Sequence, residues 1–156
     1  MDRFPAMPRL EFSVDVRAPL ERVFAFHVDA TNLLKITPPD AQMQIIGNTI
    51  VSPGAQIHLR VKIPFIGETD WVSCITEFKE NETFTDEQVR GPLKRWKHTH
   101  IFQPIEGGTR ITDIVEYEAP FGALGVLGDR LLGERQVRQM FEYRQRRTKE
   151  LLESDA

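Results

Sequence analysis

Trp96, His98, His100 and Phe102 alternate along the chain with Lys97 and Thr99. Successive side chains of a strand point to opposite faces, so these four share one face and Lys97 and Thr99 the other. Lys97 marks the wet side, which turns both histidines inward. Two imidazoles about 7 Å apart along one buried face must find partners for four ring nitrogens. Three chemistries answer that need. Enclosed water and carboxylates can satisfy the rings, or the rings can contact a ligand and move protons near neutral pH. The third is a His-x-His metal pair, whose third ligand would come from Asp113 or Asp86.

Asp113 shares its face with Ile111, Val115 and Tyr117, an apolar set. A carboxylate there must be hydrogen-bonded or protonated, and His98 or His100 on the preceding strand is the natural partner. His98, His100 and Asp113 are therefore the candidate catalytic residues. Trp71, Trp96, His98, His100, Phe102, Asp113, Tyr117 and Asp86 are the expected ligand-binding set. No metal and no organic cofactor is expected.

Other chemistry-bearing residues read more plainly. Trp71, Ser73, Ile75 and Glu77 form a second inward set, although Val72 and Cys74 between them are apolar too. The alternation leaves open whether Asp86, Gln88 and Arg90 line the interior or the outer wall. Cys74, the single cysteine, reads as a small buried thiol. No serine lies in a Gly-x-Ser-x-Gly elbow. His27 reads as a helix-packing residue. Gly122, Gly125, Gly128 and Gly133 form no phosphate loop and serve better to bend the chain at a cavity mouth. Arg144, Arg146, Arg147 and Lys149 read as a solvated helix surface.

The elements that must position these residues follow from periodicity. Leu10 to Val16 alternates as a half-buried strand. Pro19, placed in a first helical turn, opens a helix carrying Leu20, Val23, Phe24 and Phe26. A short helix over Asn32 to Ile36 stops before Pro38-Pro39. Met43, Ile45 and Ile50-Val51 give the next strand, and Ile57 to Ile63 another. Trp71–Phe78, Thr83–Arg90, Lys94–Phe102 and Thr109–Tyr117 are four more, parted by turns at Pro64–Gly67, Glu80-Asn81, Gly91-Pro92 and Gly107-Gly108. Short connections imply antiparallel hairpins. From Leu124 to Leu152 the period becomes 3.6, with Leu124, Leu127, Leu131, Val137, Phe141, Arg144, Thr148 and Leu151 near one stripe. Such a helix is about 40 Å long. The order β–α–α–β×6–α is an α+β arrangement.

Composition bounds the function. The 156 residues carry 20 Lys plus Arg against 23 Asp plus Glu, a net charge of −3. That argues against a general nucleic-acid binder. No apolar run approaches the length of a membrane span, and no secretory signal is visible at the start, where Met7 is an alternative first residue. A lone cysteine excludes an intramolecular disulfide and any multi-cysteine zinc site. The expectation is one cytoplasmic domain over residues 10–153 behind a flexible lead-in at 1–9, as a monomer or weak homodimer.

Specific stretches resemble the START-like or SRPBCC superfamily of polyketide cyclases/dehydrases, lipid-transfer domains and plant ligand binders, in a bacterial ligand-binding branch. They are Ala18-Pro19-Leu20-Glu21-Arg22-Val23-Phe24, Asn32-Leu33 through Thr37-Pro38-Pro39, Asp86 through Pro92, Trp96-x-His98-x-His100-x-Phe102, and Val115-Glu116-Tyr117 with Pro120-Phe121-Gly122. The resemblance implies a helix-grip fold, a curved antiparallel sheet wrapped around a long C-terminal helix, with a deep cavity between them. Because this fold hosts enzymes, carriers and sensors, three functions follow as expectations. The first is binding or carrying a hydrophobic small molecule such as a lipid, quinone or polyketide-like compound, in a cavity of a few hundred Å³. The second is a cyclase, aromatase or dehydratase using the inward His and Asp groups. The third is a protein-interaction module with a vestigial cavity.

Overall fold

The computed structural model describes residues 8–63, 67–119 and 133–154. The elements are β1 (Arg9–Val16), α1 (Leu20–Val28), α2 (Asn32–Lys35), β2 (Met43–Ile46), β3 (Gln56–Ile63), β4 (Gly67–Lys79), β5 (Thr83–Arg90), β6 (Arg95–Ile105), β7 (Gly108–Glu118) and α3 (Glu134–Ser154). All seven strands pair antiparallel in one sheet, in the order β1-β7-β6-β5-β4-β3-β2. Tight turns make these pairings local. Gly107 takes a positive φ of 80° in the two-residue turn that joins Ile105 to its partner Gly108, a conformation glycine adopts without steric cost. Gly108 is required for a second reason: a Cβ there would lie 2.0 Å from the Val16 carbonyl oxygen.

Two apolar clusters fill the interior. Phe24 of α1 is the hub of one, meeting Phe78, Phe84 and Phe102 edge-on at 5.7, 6.2 and 5.3 Å between ring centroids. The other joins Leu10, Phe12, Leu93, Trp96, Val115 and Tyr117 of the sheet side to Val137 and Phe141 of α3. Phe141 is 1% exposed and stacks on Phe12 at 5.0 Å and Trp96 at 6.2 Å.

The structure moves several expected features. The α3 stripe is Val137, Phe141, Gln145, Thr148 and Leu152, so Leu152 rather than Leu151 meets the sheet. Spacings of four, four, three and four hold this set on one narrow face. The expected helical residues 124–132, with Leu124, Leu127 and Leu131, lie outside the described residues, as do Gly122, Gly125 and Gly128, residues 1–7 and residues 64–66 of the expected turn, whose last residue, Gly67, is the first of β4. Pro19 is the N-cap of α1 rather than a first-turn residue. β2 ends at Ile46 because Gly47 turns the chain at φ 77°. Ile50 then forms only an isolated bridge to Asp29 and is exposed.

β4 carries the most informative departure. Its pairing with β5 shifts register between Ile75 and Glu77, and a bulge of this kind reverses which residues face inward. Ser73 and Ile75 are buried before it and Phe78 packs on the core after it, while Glu77 is exposed. Cys74, between two inward residues, is half-exposed and not the buried thiol expected.

Candidate functional site

The site is assembled by three adjacent strands. Register places Asp86 of β5 opposite His98 of β6, and Asp113 of β7 opposite His100. The hydrogen bonds run along the diagonals instead. His98 Nε2–H donates to Asp113 Oδ1 at 2.7 Å, and His100 Nε2–H donates to Asp86 Oδ2 at 3.0 Å. Diagonal cross-strand neighbours are within reach of long or aromatic side chains. The two imidazoles lie over one another, 3.7 Å between centroids, and His100 also stacks on Phe84 at 4.0 Å. The direct cross-strand distances, His98 Nδ1 to Asp86 Oδ2 and His100 Nδ1 to Asp113 Oδ1, are each 3.6 Å. A ring of two histidines and two carboxylates results, closed by two short contacts and two longer ones.

α3 completes it. Gln145 Nε2–H donates to the second oxygen of Asp113 at 2.9 Å. The Arg144 guanidinium lies over the Phe141 ring, 5.4 Å from its centroid, and acts electrostatically on Asp113 and Asp86. Among the described residues, two atoms here are buried without a hydrogen-bond partner: Arg144 Nε and His100 Nδ1.

Burial opposes charge on every member, and the network decides which charges survive. It pushes the Asp113 pKa up, but the hydrogen bond from His98, the pull of both imidazoles and Gln145 together hold it well below the usual carboxylate range. Asp86 is also held down, burial being outweighed by the His100 bond and by His98, His100 and Arg144. Burial and the adjacent His98 push His100 down to about 4 against the attraction of both carboxylates, so this ring is neutral at pH 7. Since Nε2 carries its proton toward Asp86, Nδ1 holds a lone pair. Burial lowers the pKa of Arg144 against the two aspartates and that of His27 against the Val23 carbonyl.

A cavity of about 50 Å³ opens beside the ring, lined by His27, Leu33, Ile36, His98, His100, Ile111, Asp113, Phe141, Arg144, Gln145 and Thr148. It lies where sheet and helix face each other, but it is far smaller than the expected few hundred Å³. Aromatic side chains pack on either side of it. Trp96 and Tyr117 are buried in the α3-side cluster, and Trp71 packs edge-on to Trp96 at 5.3 Å while its Nε1–H donates to Ser73. Phe102 belongs to the Phe24 cluster. Of the expected ligand-binding set, the structure brings His98, His100 and Asp113 to the cavity wall and Asp86 to the ring behind it. Trp96, Phe102 and Tyr117 lie in the core, and Trp71 is half-buried against it. Gln88 turns to the Leu93 backbone, and Arg90 pairs outside with Asp70 at 2.7 Å.

Arg144, Gln145 and His27 line the cavity and lie outside the expected set. The signal for Gln145 and Arg144 was their place beside Phe141 and Thr148 on the helical stripe. Its basic neighbours make Arg144 read as surface, and its place on the first helix makes His27 read as packing alone. For a metal ion, Asp86, His98 and His100 each offer one donor atom, all within 4.8 Å of one another.

An antiparallel seven-stranded curved sheet closed by a long C-terminal helix is the helix-grip, Bet v 1-like architecture, a ligand-binding fold. The chain belongs to the polyketide cyclase/dehydrase and lipid transport family, whose family model matches residues 7–153. Similar solved structures include protein CV1439 from Chromobacterium violaceum, with 15% identity, TM-score 0.73 and coverage of 96% of this chain and 99% of that one. Protein Ms6760 from Mycobacterium smegmatis has 18% identity and TM-score 0.70, covering 92% and 90%. The Bet v 1 allergen Ara h 8.0201 has 17% identity and TM-score 0.68, covering 95% and 99%. At these identities the likeness is one of fold. No curated protein matches the sequence. Among the described residues, no helix is long and apolar enough to cross a membrane.

Proposed function

We propose that the protein binds a hydrophobic small molecule bearing a carbonyl or hydroxyl group, of the quinone or polyketide-like kind, with that polar end in the cavity between sheet and α3. The observation that carries this reading is the pair of buried, unpartnered polar atoms at the cavity, Arg144 Nε and His100 Nδ1. Leaving such groups unsatisfied costs about 1–3 kcal/mol each. A carbonyl oxygen accepting from Arg144, or a hydroxyl donating to His100, would relieve that cost, whereas a saturated acyl chain would not. At about 50 Å³ the cavity suits the polar end of a ligand and not its whole body.

Acid–base catalysis is a second reading, favoured by the 2.7 Å bond between His98 and Asp113. Against it, the other nitrogen of His98 faces Asp86 at 3.6 Å, which leaves less of the ring for a substrate proton.

The test is a titration with a simple naphthoquinone and, separately, with decalin, a saturated hydrocarbon of similar size without a polar group, followed by NMR of the Gln145 and Arg144 side-chain N–H signals. Saturable shifts with the quinone and none with decalin are expected. Shifts with neither, together with no small molecule copurifying in native mass spectrometry, would end the binding proposal and leave the interaction module.

A further inference from the structure

The His–Asp ring has an internal defect that a ligand carbonyl held by Arg144 would leave in place. With His100 Nε2–H donating to Asp86, its Nδ1 is buried without a hydrogen-bond partner among the described residues, its lone pair 3.6 Å from the Asp113 oxygen. Two acceptors oppose each other in a buried site. On the other side, His98 Nδ1 stands 3.6 Å from Asp86 Oδ2, beyond hydrogen-bond length, while its Nε2–H is committed to Asp113.

We propose that Asp86, His98 and His100 form a binding site for a divalent cation of the zinc class, with Asp113 as the residue that orients both imidazoles. An ion about 2.1 Å from each donor separates its ligand atoms by about 3.0–3.6 Å for angles of about 90–120°. The Asp86 oxygen lies 3.0 Å from His100 Nε2 and 3.6 Å from His98 Nδ1. Two imidazoles and one carboxylate are a donor set suited to zinc, iron or nickel rather than to calcium or magnesium.

The ion would also remove the defect. With the cation on Nε2, the His100 proton moves to Nδ1 and points at Asp113, so a repulsive pair becomes a donor and an acceptor. Asp113 would then accept from both histidines, as metal-bound histidines usually require of a neighbouring carboxylate, and Gln145 already holds its other oxygen. Three protein ligands leave a coordination position for water or a ligand oxygen, the arrangement of open zinc sites. The inference does not rest on the organic ligand, because its test uses the metal alone; with the ion bound, His100 Nδ1 serves Asp113 and the polar end of a ligand is left to Arg144 Nε.

The whole chain, stripped with a chelator, is titrated with Zn²⁺ by calorimetry and with Co²⁺ by visible absorption. The expected result is one ion per chain with micromolar or tighter affinity. In ¹⁵N-resolved histidine NMR, the ring proton of His100 should move from Nε2 to Nδ1 on adding Zn²⁺, while that of His98 stays on Nε2. Asp86→Asn and His100→Gln should each abolish measurable binding, and Asp113→Asn should weaken it about 10–100-fold at unchanged stoichiometry. His58→Gln, at the separate His58–Asp70 pair on the sheet, should leave it intact. Circular dichroism establishes that each variant is folded, and the wild-type readouts do not depend on them. No binding by the wild-type chain, no change at His100, or binding lost with His58→Gln and kept with Asp86→Asn would overturn the proposal.

Discussion

Asp113 on β7 accepts from His98 on β6 through one oxygen and from Gln145 on α3 through the other, at 2.7 and 2.9 Å. A single buried carboxylate thus ties the sheet to the C-terminal helix. Asp113→Asn keeps the shape and removes the charge, and its new amide group must face one of two donors. The expected loss is about 1–3 kcal/mol of folding stability, read from denaturant unfolding. Gln145→Leu should cost a similar amount, and the double variant less than the sum, since both changes break one network. Strict additivity would show that the two residues are not coupled. A binder should retain its ligand in Asp113→Asn, whereas an acid–base enzyme should lose about 10²–10⁴-fold in rate.

The same network fixes the pH response. His100 has a folded pKa of about 4 against an ordinary 6.5, so between these values the unfolded chain binds a proton that the folded chain does not. Stability therefore rises with pH across that window and gains nothing further from His100 above it. Asp113 and Asp86, both held below the ordinary carboxylate range, act in the same direction: they stabilise the fold above about pH 4 and lose that contribution as pH falls through their folded values. Urea midpoints should stay level from pH 8 to about 6.5 and then fall, the His100 part amounting to about 3 kcal/mol. His100→Phe should flatten the upper part of that fall. An unchanged slope in His100→Phe would place the titrating group elsewhere.

How much of this was legible in the sequence depends on range. Period-two alternation around Trp96 turned His98, His100 and Asp113 to one face, because facing is a local property of a strand. The facing of Asp86 was undecided. It depends on how Gly91 to Lys94 return the chain from β5 to β6, which sets Asp86 opposite His98. Glu77 was misplaced because a bulge adds a residue without any mark in the alternation. On the helix, residues 144 to 149 are all basic or polar, so composition points to solvent. Packing decided otherwise for Arg144, which lies over Phe141 and lines the cavity.

Arg144 supplies a prediction about the ligand. Its Nε is buried without a partner at the cavity, so Arg144→Met keeps much of the side chain's volume and removes the charged donor. Hydrogen bonds to charged groups are worth about 1.5–3 kcal/mol, and the variant should bind a naphthoquinone about 10–100-fold more weakly by calorimetry. Equal affinity would mean that the polar end of the ligand lies elsewhere.

Phe141 tests how α3 is held. The ring is 1% exposed, stacks on Phe12 and Trp96, and meets His98 edge-on at 4.9 Å. It is therefore shared by the apolar cluster and the His–Asp ring. Truncating a buried aromatic costs about 3–5 kcal/mol, and Phe141→Ala should fall in that range. Phe141→Leu should lose less, because much of the apolar contact survives. The local consequence separates packing from general instability: the His98–Asp113 bond loses its cover, so hydrogen exchange at the His98 ring N–H and at the backbone of α3 should rise together. Exchange that rises only along α3, with the His98 ring signal still protected, would show that the sheet holds the ring without the helix.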